Sequence, residues 1–480
     1  MTTSPPEAEL RQRLDRTVEM LEGHGQAHLL ARSGELEPEA LESLLDQIDG
    51  IDIPSSVRLM NEARSGGCAT PPEDSIRPAK VVPHEPADAE SMRARGQQLV
   101  DEGRVAAFTV AGGQGTRLGW NGPKGTYPAS PITGKPLFRL FAEQLLAHAR
   151  RSGRSIPWYI MTSPINDADT RAFFQDNNWF GLDRTDVFLF PQGVLPSYDD
   201  DGRFLLSEPG KIAVNPDGHG GALRALRGSG AIEDMLARGI EHISYFQVDN
   251  PTVQVIDPLF LGLHASSEES SGEISSKMVP KAAPDEKVGV FCEVDGRTCV
   301  IEYSDLPEEL ATAREPDGSL RFLAGSIAIH ALSVDFIARL TSEDSELALP
   351  LHQARKKVPY VETSDGGRIE PTSPNATKLE LFIFDAVPLA SRSLVWETDR
   401  VEEFAPIKNA EGSDSAVTSR DLQFERAARW LEANGHDMPR DADGTPLALV
   451  EITSETALDR RDLAGADLPD AFKPGEQYIL

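Results

Sequence analysis

A glycine-rich loop placed directly after a short apolar run is the feature that most constrains the fold. Residues 105–110 read Val-Ala-Ala-Phe-Thr-Val, and residues 111–125 read Ala-Gly-Gly-Gln-Gly-Thr-Arg-Leu-Gly-Trp-Asn-Gly-Pro-Lys-Gly. Glycine lets the backbone approach an anion, so that several N–H groups can turn toward one phosphate. Arg117 and Lys124 add positive charge beside these groups. The stretch predicts a buried strand followed by a loop that binds a nucleoside triphosphate or a similar polyanion; the alternative is an ordinary glycine-rich turn.

The spacing within this loop excludes two better-known phosphate loops. A P-loop requires Gly-x4-Gly-Lys-Ser/Thr, but here Lys124 precedes Gly125, and the later Gly-Lys at 134–135 is followed by proline. A dinucleotide fingerprint requires Gly-x-Gly-x-x-Gly, and counting from Gly113 places Leu118 at the third glycine position. The spacing therefore argues against a dinucleotide-dependent oxidoreductase.

Short apolar runs alternate with helical stretches from about residue 95 onward. Strands are predicted at 105–110, 158–162, 187–190, 243–248 and 326–330, and helices at 137–150, 167–176 and 221–238. This alternation predicts an α/β fold, with a mixed, mostly parallel Rossmann-like sheet and helices on both faces. Ligands of such sheets bind at the carboxyl ends of the strands. The glycine loop and Asp249, which follows the run 243–248, are therefore expected at the same edge.

The two ends of the chain have different patterns. Apolar residues at helical spacing lie between Leu10 and Leu21, and Pro38 begins a second helical stretch. Residues 62–93 are rich in Gly, Pro, Ser and charge and are interpreted as a connection. We expect a helical N-terminal segment and linker at 1–94, a catalytic domain at 95–400 and a small C-terminal α/β domain at 401–480. The last would hold a helix at 420–434 and a strand at 447–452, and 363–376 is expected to be a loop.

Composition excludes several classes of partner. The chain of 480 residues carries 77 acidic and 47 basic residues, for a net charge of −30. Nucleic acids and anionic membranes require a basic face, so neither is an expected partner. The three cysteines show no metal-ligand spacing, and no run approaches the roughly 20 apolar residues that span a bilayer. With no signal-peptide pattern at the N-terminus, these features predict a cytoplasmic protein.

Six further segments, together with the glycine loop, resemble the eukaryotic-type UDP-sugar pyrophosphorylases in the family's order. They are Ile-Pro-Trp-Tyr-Ile-Met-Thr-Ser (156–163), Pro-Gln-Gly-Val-Leu-Pro (191–196), Pro-Asp-Gly-His-Gly-Gly (216–221), Val-Asp-Asn (248–250), Ile-Glu-Tyr-Ser (301–304) and Pro-Ile-Lys-Asn-Ala (406–410). The resemblance covers about residues 95–480 and is strongest to the hexosamine branch. It implies a nucleotidyltransferase fold and a UTP:sugar-1-phosphate uridylyltransferase that uses Mg²⁺, with N-acetylglucosamine 1-phosphate as the favoured sugar. We expect a monomer or weak homo-oligomer.

The resemblance also implies roles for individual residues. Catalytic roles fall to Arg117, Lys124 and Lys408, and the metal ligand would be Asp249, which by itself is equally a turn residue before Asn-Pro. The implied uridine contacts are Gly112, Gly113, Gln192 and Gly218. The implied sugar-side residues are His219, Gly289, Glu302, Tyr303 and Ser326, with Lys378 as an additional charge or simply a solvated lysine.

Two sugar-side positions depart from the hexosamine pattern. The family's Gly-Asn-Gly-Gly is Gly-His-Gly-Gly at 218–221, nearer to the UDP-glucose type, and its Ala-Gly-Asn is Ala-Gly-Ser at 324–326. UDP-glucose formation or broad UDP-sugar specificity therefore stays open. A non-catalytic nucleotide-binding protein is the alternative from another class, and it would be expected to have lost Lys124, Arg117, Asp249 or Lys408, all of which are present.

Overall fold

The computed structural model describes residues 5–66, 71–342 and 349–480. The α-helices of these residues are α1 (Pro5–Gly23), α2 (Pro38–Gly50), α3 (Ile53–Gly66), α4 (Ala89–Asp101), α5 (Leu137–Ser152), α6 (Asp167–Asp176), α7 (Ala222–Gly228), α8 (Ala231–Ala237), α9 (Pro258–Ser266), α10 (Glu308–Thr312), α11 (Val334–Leu340), α12 (Arg400–Glu403) and α13 (Ala416–Ala433).

The strands are β1 (Ile76–Pro78), β2 (Val105–Val110), β3 (Trp158–Thr162), β4 (Val187–Pro191), β5 (Val194–Pro196), β6 (Leu206–Glu208), β7 (Lys211–Ile212), β8 (Val214–Pro216), β9 (His242–Gln247), β10 (Ile274–Pro280), β11 (Val290–Val294), β12 (Arg297–Ile301), β13 (Ala324–Ser333), β14 (Leu351–Lys356), β15 (Tyr360–Val361), β16 (Arg368–Ile369), β17 (Ala376–Leu381), β18 (Leu394–Glu397), β19 (Leu449–Glu451) and β20 (Gln477–Ile479).

Ten of these strands form one mixed sheet. Its main path is β1-β11-β13-β9-β2-β3-β4, with β12 paired to β11, β10 to β13 and β18 to β10. Seven strands run in one direction: β2, β3, β4, β9, β10, β11 and β18. The other three, β1, β12 and β13, run in the opposite direction. The predicted α/β class with a mixed, mostly parallel sheet is confirmed.

The order of the parallel strands reverses at β2. The chain passes through α5 to β3 and through α6 to β4 on one side of β2, whereas β9 pairs on the other side. Right-handed crossovers therefore put α5 and α6 on one face and the helices leading into β9 on the opposite face. Val110 pairs with Gln247, so the loops that follow β2 and β9 begin side by side. This is the topological switch point, where α/β sheets bind their ligands.

Aromatic packing against β2, β3 and β9 holds this edge in place. Phe138 and Phe141 of α5 are fully buried; Phe138 meets Trp158 edge-on at 6.2 Å, and Phe141 meets Phe246 at 5.1 Å. Full burial of such a side chain contributes about 1.5–3 kcal/mol. The loop ends are thus attached to the best-packed part of the sheet.

Several predicted element bounds need correction. The helix predicted at 221–238 is two helices, α7 and α8, because Gly230 adopts φ 78° between them. The helix predicted at 420–434 begins earlier, at Ala416, because Ser415 caps it through the backbone N–H of Thr418. The connection predicted at 62–93 contains part of α3, strand β1 and the start of α4, and the loop predicted at 363–376 contains the short strand β16.

The chain forms two compact units, which join segments distant in sequence. Unit 1 comprises Met1–Thr70, Gln192–Ala222 and Ala348–Ile383, and unit 2 comprises Pro71–Pro191, Leu223–Leu347 and Phe384–Leu480. In unit 1 the side chain of Gln26 bonds Gly202 and Phe204, attaching the N-terminal helices to the segment that carries β5–β8. The three-part division at residues 94 and 400 is drawn along the chain and stays a prediction. Within the described ranges, no helix is both long and apolar enough to cross a membrane.

Candidate active site

A buried side-chain amide fixes the first residues of the glycine loop that follows β2. Asn166 Nδ2 donates to the carbonyl oxygens of Ala111 (3.0 Å) and Gly113 (3.2 Å), while its Oδ1 accepts the backbone N–H of Ser163 (2.8 Å). Asn166 is fully buried. With these carbonyls fixed on the amide, the main chain of Gly112 and Gly113 is set by the end of β3. The sequence pattern does not reveal Asn166, because its partners become neighbours only when β2 and β3 pair.

Lys124 is aimed by the chain on both sides of it. Its backbone N–H donates to the oxygen of Gly113 (3.0 Å), and Pro123 precedes it at φ −58°. Gly125 follows against the ring of Phe138, where an added Cβ would lie 2.2 Å from ring carbons. Only glycine fits this position, and the short 3₁₀ turn Lys124–Thr126 therefore packs onto α5.

Lys124 and Asp249 form a buried ion pair at the switch point. Lys124 Nζ lies 3.2 Å from Asp249 Oδ2, and both residues are 8% exposed. The glycine loop after β2 and the carboxylate after β9 are thus brought together, as the sequence predicted. Arg117 lies earlier in the same loop, in the 3₁₀ turn Thr116–Leu118, and is exposed.

The segment that carries Lys408 is fastened to the end of β9. The Ile407 N–H donates to the oxygen of Asp249 at 2.8 Å. Asn250 Nδ2 donates to the oxygen of Glu403 at 2.6 Å, and Asn250 Oδ1 accepts the N–H of Ala405 at 3.1 Å. Lys408 therefore lies in a segment tied directly to the main chain of Asp249. Asn250 is a second functional candidate, to which the sequence analysis gave no role of its own beyond the Val-Asp-Asn motif and a turn.

A buried charge cluster includes Glu403, at the start of the same segment. Lys277 of β10 is fully buried, and its Nζ lies 2.7 Å from Asp257 Oδ2 and 2.5 Å from Glu403 Oε1. Burial opposes charge in all three groups, but the two carboxylates raise the pKa of Lys277, and Lys277 holds the pKa of Asp257 below its usual value. Burial raises the pKa of Glu403. The sequence signal that could have revealed this cluster is a lysine directly before the apolar pair Met278-Val279 of a strand.

Gly289, Glu302 and Ser326 lie together at the paired ends of β11, β12 and β13. The Ser326 N–H donates to the oxygen of Gly289 at 2.8 Å, and a Cβ on Gly289 would lie 3.4 Å from Glu302 Oε1. Ser326 and Glu302 are partly exposed, and Tyr303 is 46% exposed. The structure thus groups three of the sugar-side residues predicted from the sequence, and Tyr303 directly follows one of them in the chain.

The remaining predicted residues lie in unit 1. Gly218, at φ 86°, backs onto β17 so closely that a Cβ would lie 2.4 Å from the oxygen of Leu381. His219 Nδ1 accepts the N–H of Ile383 at 3.1 Å, and its ring stacks on Phe382 at 5.2 Å. Burial lowers the pKa of His219 to about 4, so the ring is neutral at pH 7, with its proton on Nε2.

Gln192 and Lys378 complete the unit 1 residues. Gln192 is buried at the start of the unit's second segment. Lys378 Nζ pairs with Glu380 Oε1 of the same strand, β17, at 2.8 Å. That pairing gives Lys378 a structural partner of its own.

The donor set for a metal ion is sparse. Among residues 5–66, 71–342 and 349–480, no three His, Cys, Asp or Glu side chains are grouped to hold a metal ion. A Mg²⁺ that keeps several waters needs only one or two carboxylates when substrate phosphates supply further oxygens. Asp249 can supply that carboxylate. The described residues do not form a metal site from protein ligands alone.

Comparisons with known proteins agree with this fold and these motifs. The family model described as UTP–glucose-1-phosphate uridylyltransferase matches residues 62–442. A UDP-N-acetylglucosamine pyrophosphorylase of Saccharomyces cerevisiae is 39% identical over 369 residues, covering 75% of this chain and 75% of that protein. The UDP-N-acetylhexosamine pyrophosphorylase-like protein 1 of Xenopus tropicalis is 37% identical over 446 residues, covering 89% of this chain and 86% of that protein.

A solved structure has the same fold. The uridine diphosphate N-acetylglucosamine pyrophosphorylase of Trypanosoma brucei, crystallised with an inhibitor, superimposes with a TM-score of 0.81 at 24% identity, over 100% of this chain and 99% of that one. The family match spans more than half of the 480 residues and contains the glycine loop, Lys124, Asp249 and Lys408. The chain belongs to the UTP–glucose-1-phosphate uridylyltransferase family.

Proposed function

We propose that the protein is a UTP:sugar-1-phosphate uridylyltransferase that forms a UDP-sugar and pyrophosphate, with N-acetylglucosamine 1-phosphate as its preferred sugar substrate. The observation that carries the proposal is the buried Lys124–Asp249 pair beside the glycine loop at the switch point of the sheet. The names of the similar yeast and frog proteins support the choice of an N-acetylhexosamine.

The reaction needs no nucleophile from the protein. An oxygen of the sugar 1-phosphate attacks the α-phosphorus of UTP, the new P–O bond forms, and the bond to the β-phosphate oxygen breaks to release pyrophosphate. Two anions must be aligned and the charge of the transition state neutralised. In this proposal Lys124 faces the triphosphate, and the exposed Arg117 meets the leaving pyrophosphate.

Lys408 is the proposed partner of the sugar phosphate. Its segment is joined to Asp249 through the Ile407 N–H, so a phosphate on Lys408 would lie near the triphosphate bound at Lys124. The proposed uridine contacts, following the resemblance of their motifs, are Gly112, Gly113, Gln192 and Gly218. The roles of His219 and Lys378 stay proposals of the same kind.

Asp249 is the proposed protein ligand of Mg²⁺, with phosphate oxygens and water as the other ligands. When bound, the ion would neutralise charge on the leaving pyrophosphate. Without the ion, Lys124 compensates the charge of the buried carboxylate, its Nζ lying 3.2 Å from Asp249 Oδ2. We also propose a cytoplasmic protein that acts as a monomer or weak homo-oligomer, consistent with its few cysteines and strong net negative charge.

A second candidate is UDP-glucose formation or broad specificity. It is favoured by His219 and Ser326, which stand where the hexosamine pattern has asparagine. Serine is shorter than asparagine and leaves space beside Gly289, whose oxygen already accepts the Ser326 N–H.

One assay separates these possibilities. Pyrophosphate release from UTP is measured with the 1-phosphates of N-acetylglucosamine, N-acetylgalactosamine, glucose and galactose. The proposal expects the highest kcat/KM with N-acetylglucosamine 1-phosphate and Mg²⁺, and no release without a sugar phosphate. Highest kcat/KM with glucose 1-phosphate would favour the second candidate. Absence of release with every sugar, alongside measurable UTP binding, would indicate a non-catalytic nucleotide-binding protein.

A further inference from the structure

Lys408 is already occupied by an anion of the protein itself. Its Nζ lies 3.4 Å from Asp414 Oδ2, and the two side chains are 30% and 35% exposed. An ion pair with this much exposure is reached by solvent and by dissolved anions, and its two charges are only weakly bound to each other. The pair therefore contrasts with Lys124–Asp249, whose side chains are 10% and 11% exposed.

The main chain fixes Asp414 independently of its carboxylate. The oxygen of Asp414 accepts the N–H of Lys408 at 2.6 Å and the N–H of Asn409 at 3.0 Å, closing the loop 408–414. Asp414 itself has φ 52°, a conformation that Asp and Asn tolerate better than most residues. The loop can therefore keep its shape when the carboxylate moves away from Lys408.

Lys408 has a second support that does not compete with a phosphate. Its Nζ lies 5.3 Å from the centre of the Phe404 ring, and Phe404 is 5% exposed. A ring face attracts an ammonium group without neutralising its charge. The backbone of the segment is also anchored on the other side, since Ser419 Oγ donates to the oxygen of Ala405 at 2.6 Å. Lys408 therefore stays in place whether or not Asp414 is paired with it.

We propose that Asp414 is an internal counter-ion of Lys408, exchanged for the phosphate of the sugar 1-phosphate when that substrate binds. The inference rests on the proposed function, because it takes Lys408 as the phosphate partner. Asp414 acts on the substrate through Lys408: it keeps the ammonium paired and oriented in the free enzyme and lowers the affinity for the incoming anion. Because the exchange concerns the sugar phosphate alone, UTP binding should be insensitive to it.

Asp414→Asn is the variant that tests this proposal. Asparagine keeps the tolerance of positive φ and leaves the backbone acceptor unchanged, but it removes the competing charge. We expect the KM for N-acetylglucosamine 1-phosphate to fall about two- to fivefold, with kcat and the KM for UTP nearly unchanged, as suits a partly exposed pair. The matched control is Glu411→Gln, an exposed residue of the same loop that makes the same change in net charge. The control should leave all three parameters nearly unchanged.

Two results would overturn the counter-ion proposal. One is a KM for the sugar phosphate that changes no more in Asp414→Asn than in Glu411→Gln. The other is a raised KM with a reduced kcat in Asp414→Asn, which would mean that Lys408 needs the Asp414 carboxylate in order to function. A double-mutant cycle adds a further requirement. The effect of Asp414→Asn must disappear in a Lys408→Met background, and its persistence there would show that Asp414 acts directly on the substrate.

Lys408→Met alone distinguishes this failure from failure of the proposed function. If Lys408→Met keeps a normal kcat/KM, the proposed role of Lys408 is wrong and the counter-ion inference fails with it. If Lys408→Met lowers kcat/KM to a smaller but measurable value while Asp414→Asn behaves like the control, only the counter-ion inference is wrong.

Discussion

Lys124 Nζ lies 3.2 Å from Asp249 Oδ2, and the two side chains are only 10% and 11% exposed. The pair joins the loop after β2 to the residue that follows β9 on the neighbouring strand. A carboxylate and an ammonium buried together compensate each other, so each determines the charge that the other presents to a ligand.

Replacing Lys124 with alanine should lower turnover far more than it lowers thermal stability. One charge contact made in the transition state is worth about 3–4 kcal/mol, or on the order of 10²–10³ in kcat. Lys135→Ala is the matched control, because Lys135 follows the same loop but pairs with Glu143 at 2.8 Å. Steady-state pyrophosphate release measures both. Near-normal kcat/KM in Lys124→Ala would refute its catalytic role.

Asp249→Asn should shift the Mg²⁺ dependence of activity to much higher concentration. An amide keeps the size of the side chain but removes the anionic oxygen that a hard cation prefers. The measurement is activity against Mg²⁺ at saturating UTP and sugar phosphate. An unchanged Mg²⁺ dependence would leave Asp249 as the partner of Lys124 and a turn residue, with no metal role.

Ser326→Asn should raise the preference for N-acetylglucosamine 1-phosphate over glucose 1-phosphate. Asparagine can both donate to and accept from an acetamido group, and a polar group left unpaired in a closed pocket costs about 1–3 kcal/mol, or roughly one to two decades in selectivity. The ratio of kcat/KM for the two sugars is the measurement, with the KM for UTP as the internal control. A constant ratio would place sugar selectivity elsewhere, for example at Gly289.

Lys277→Met should destabilise the protein strongly. Removing one partner of a buried ion pair costs about 3–5 kcal/mol, because Asp257 and Glu403 would keep an uncompensated charge. Glu403→Gln should cost less, since Lys277 and Asp257 still compensate each other at 2.7 Å. Lys80→Met, which breaks an exposed pair with Glu269, should change stability by less than about 0.5 kcal/mol.

Urea unfolding of these three variants gives the comparison. A loss in Lys277→Met no larger than in Lys80→Met would show that the buried cluster does not stabilise the fold. If Lys277→Met does not accumulate as folded protein, Glu403→Gln carries the test.

Acidification should destabilise the protein between pH 6.5 and about 4. Burial lowers the pKa of His148 to about 4 and lowers that of His264 well below its usual value of about 6.5. In this window the unfolded chain binds protons that the folded chain excludes, so stability is fully present above about pH 6.5 and decreases as the pH falls. Each such histidine contributes about 1.4 kcal/mol per pH unit.

The variant that tests this is His148→Gln, compared with His24→Gln, a residue just after helix α1 that is only partly buried. Melting temperatures at pH 7.5 and pH 5.5 should differ less in His148→Gln than in the wild type or His24→Gln. Equal differences in all three proteins would mean that His148 does not take part in the acid sensitivity.

The sequence by itself determined the elements that depend on local pattern. The apolar run Val105–Val110, the glycine loop and the alternation of strands and helices predicted β2, β3 and α6 with the bounds that the structure has. They also placed Asp249 at the same edge as Lys124, because parallel strands end at one edge. Local pattern predicted a single helix at 221–238 but missed the break at Gly230, since a lone glycine in a helical pattern is often tolerated.

Only the tertiary structure decided which side chains support these residues. Asn166 meets Gly113 because β2 and β3 pair, and Lys277 meets Glu403 across 126 positions of the chain. Neither contact leaves a periodic signal, since hydrogen bonds and ion pairs depend on distance in space. The counter-ion of Lys408 is of the same kind: Asp414 is near in sequence, but its carboxylate lies beside Lys408 because the loop closes on the Asp414 oxygen. The sequence thus determined the phosphate-binding edge, and the pairing of the strands decided how its charges are held and balanced.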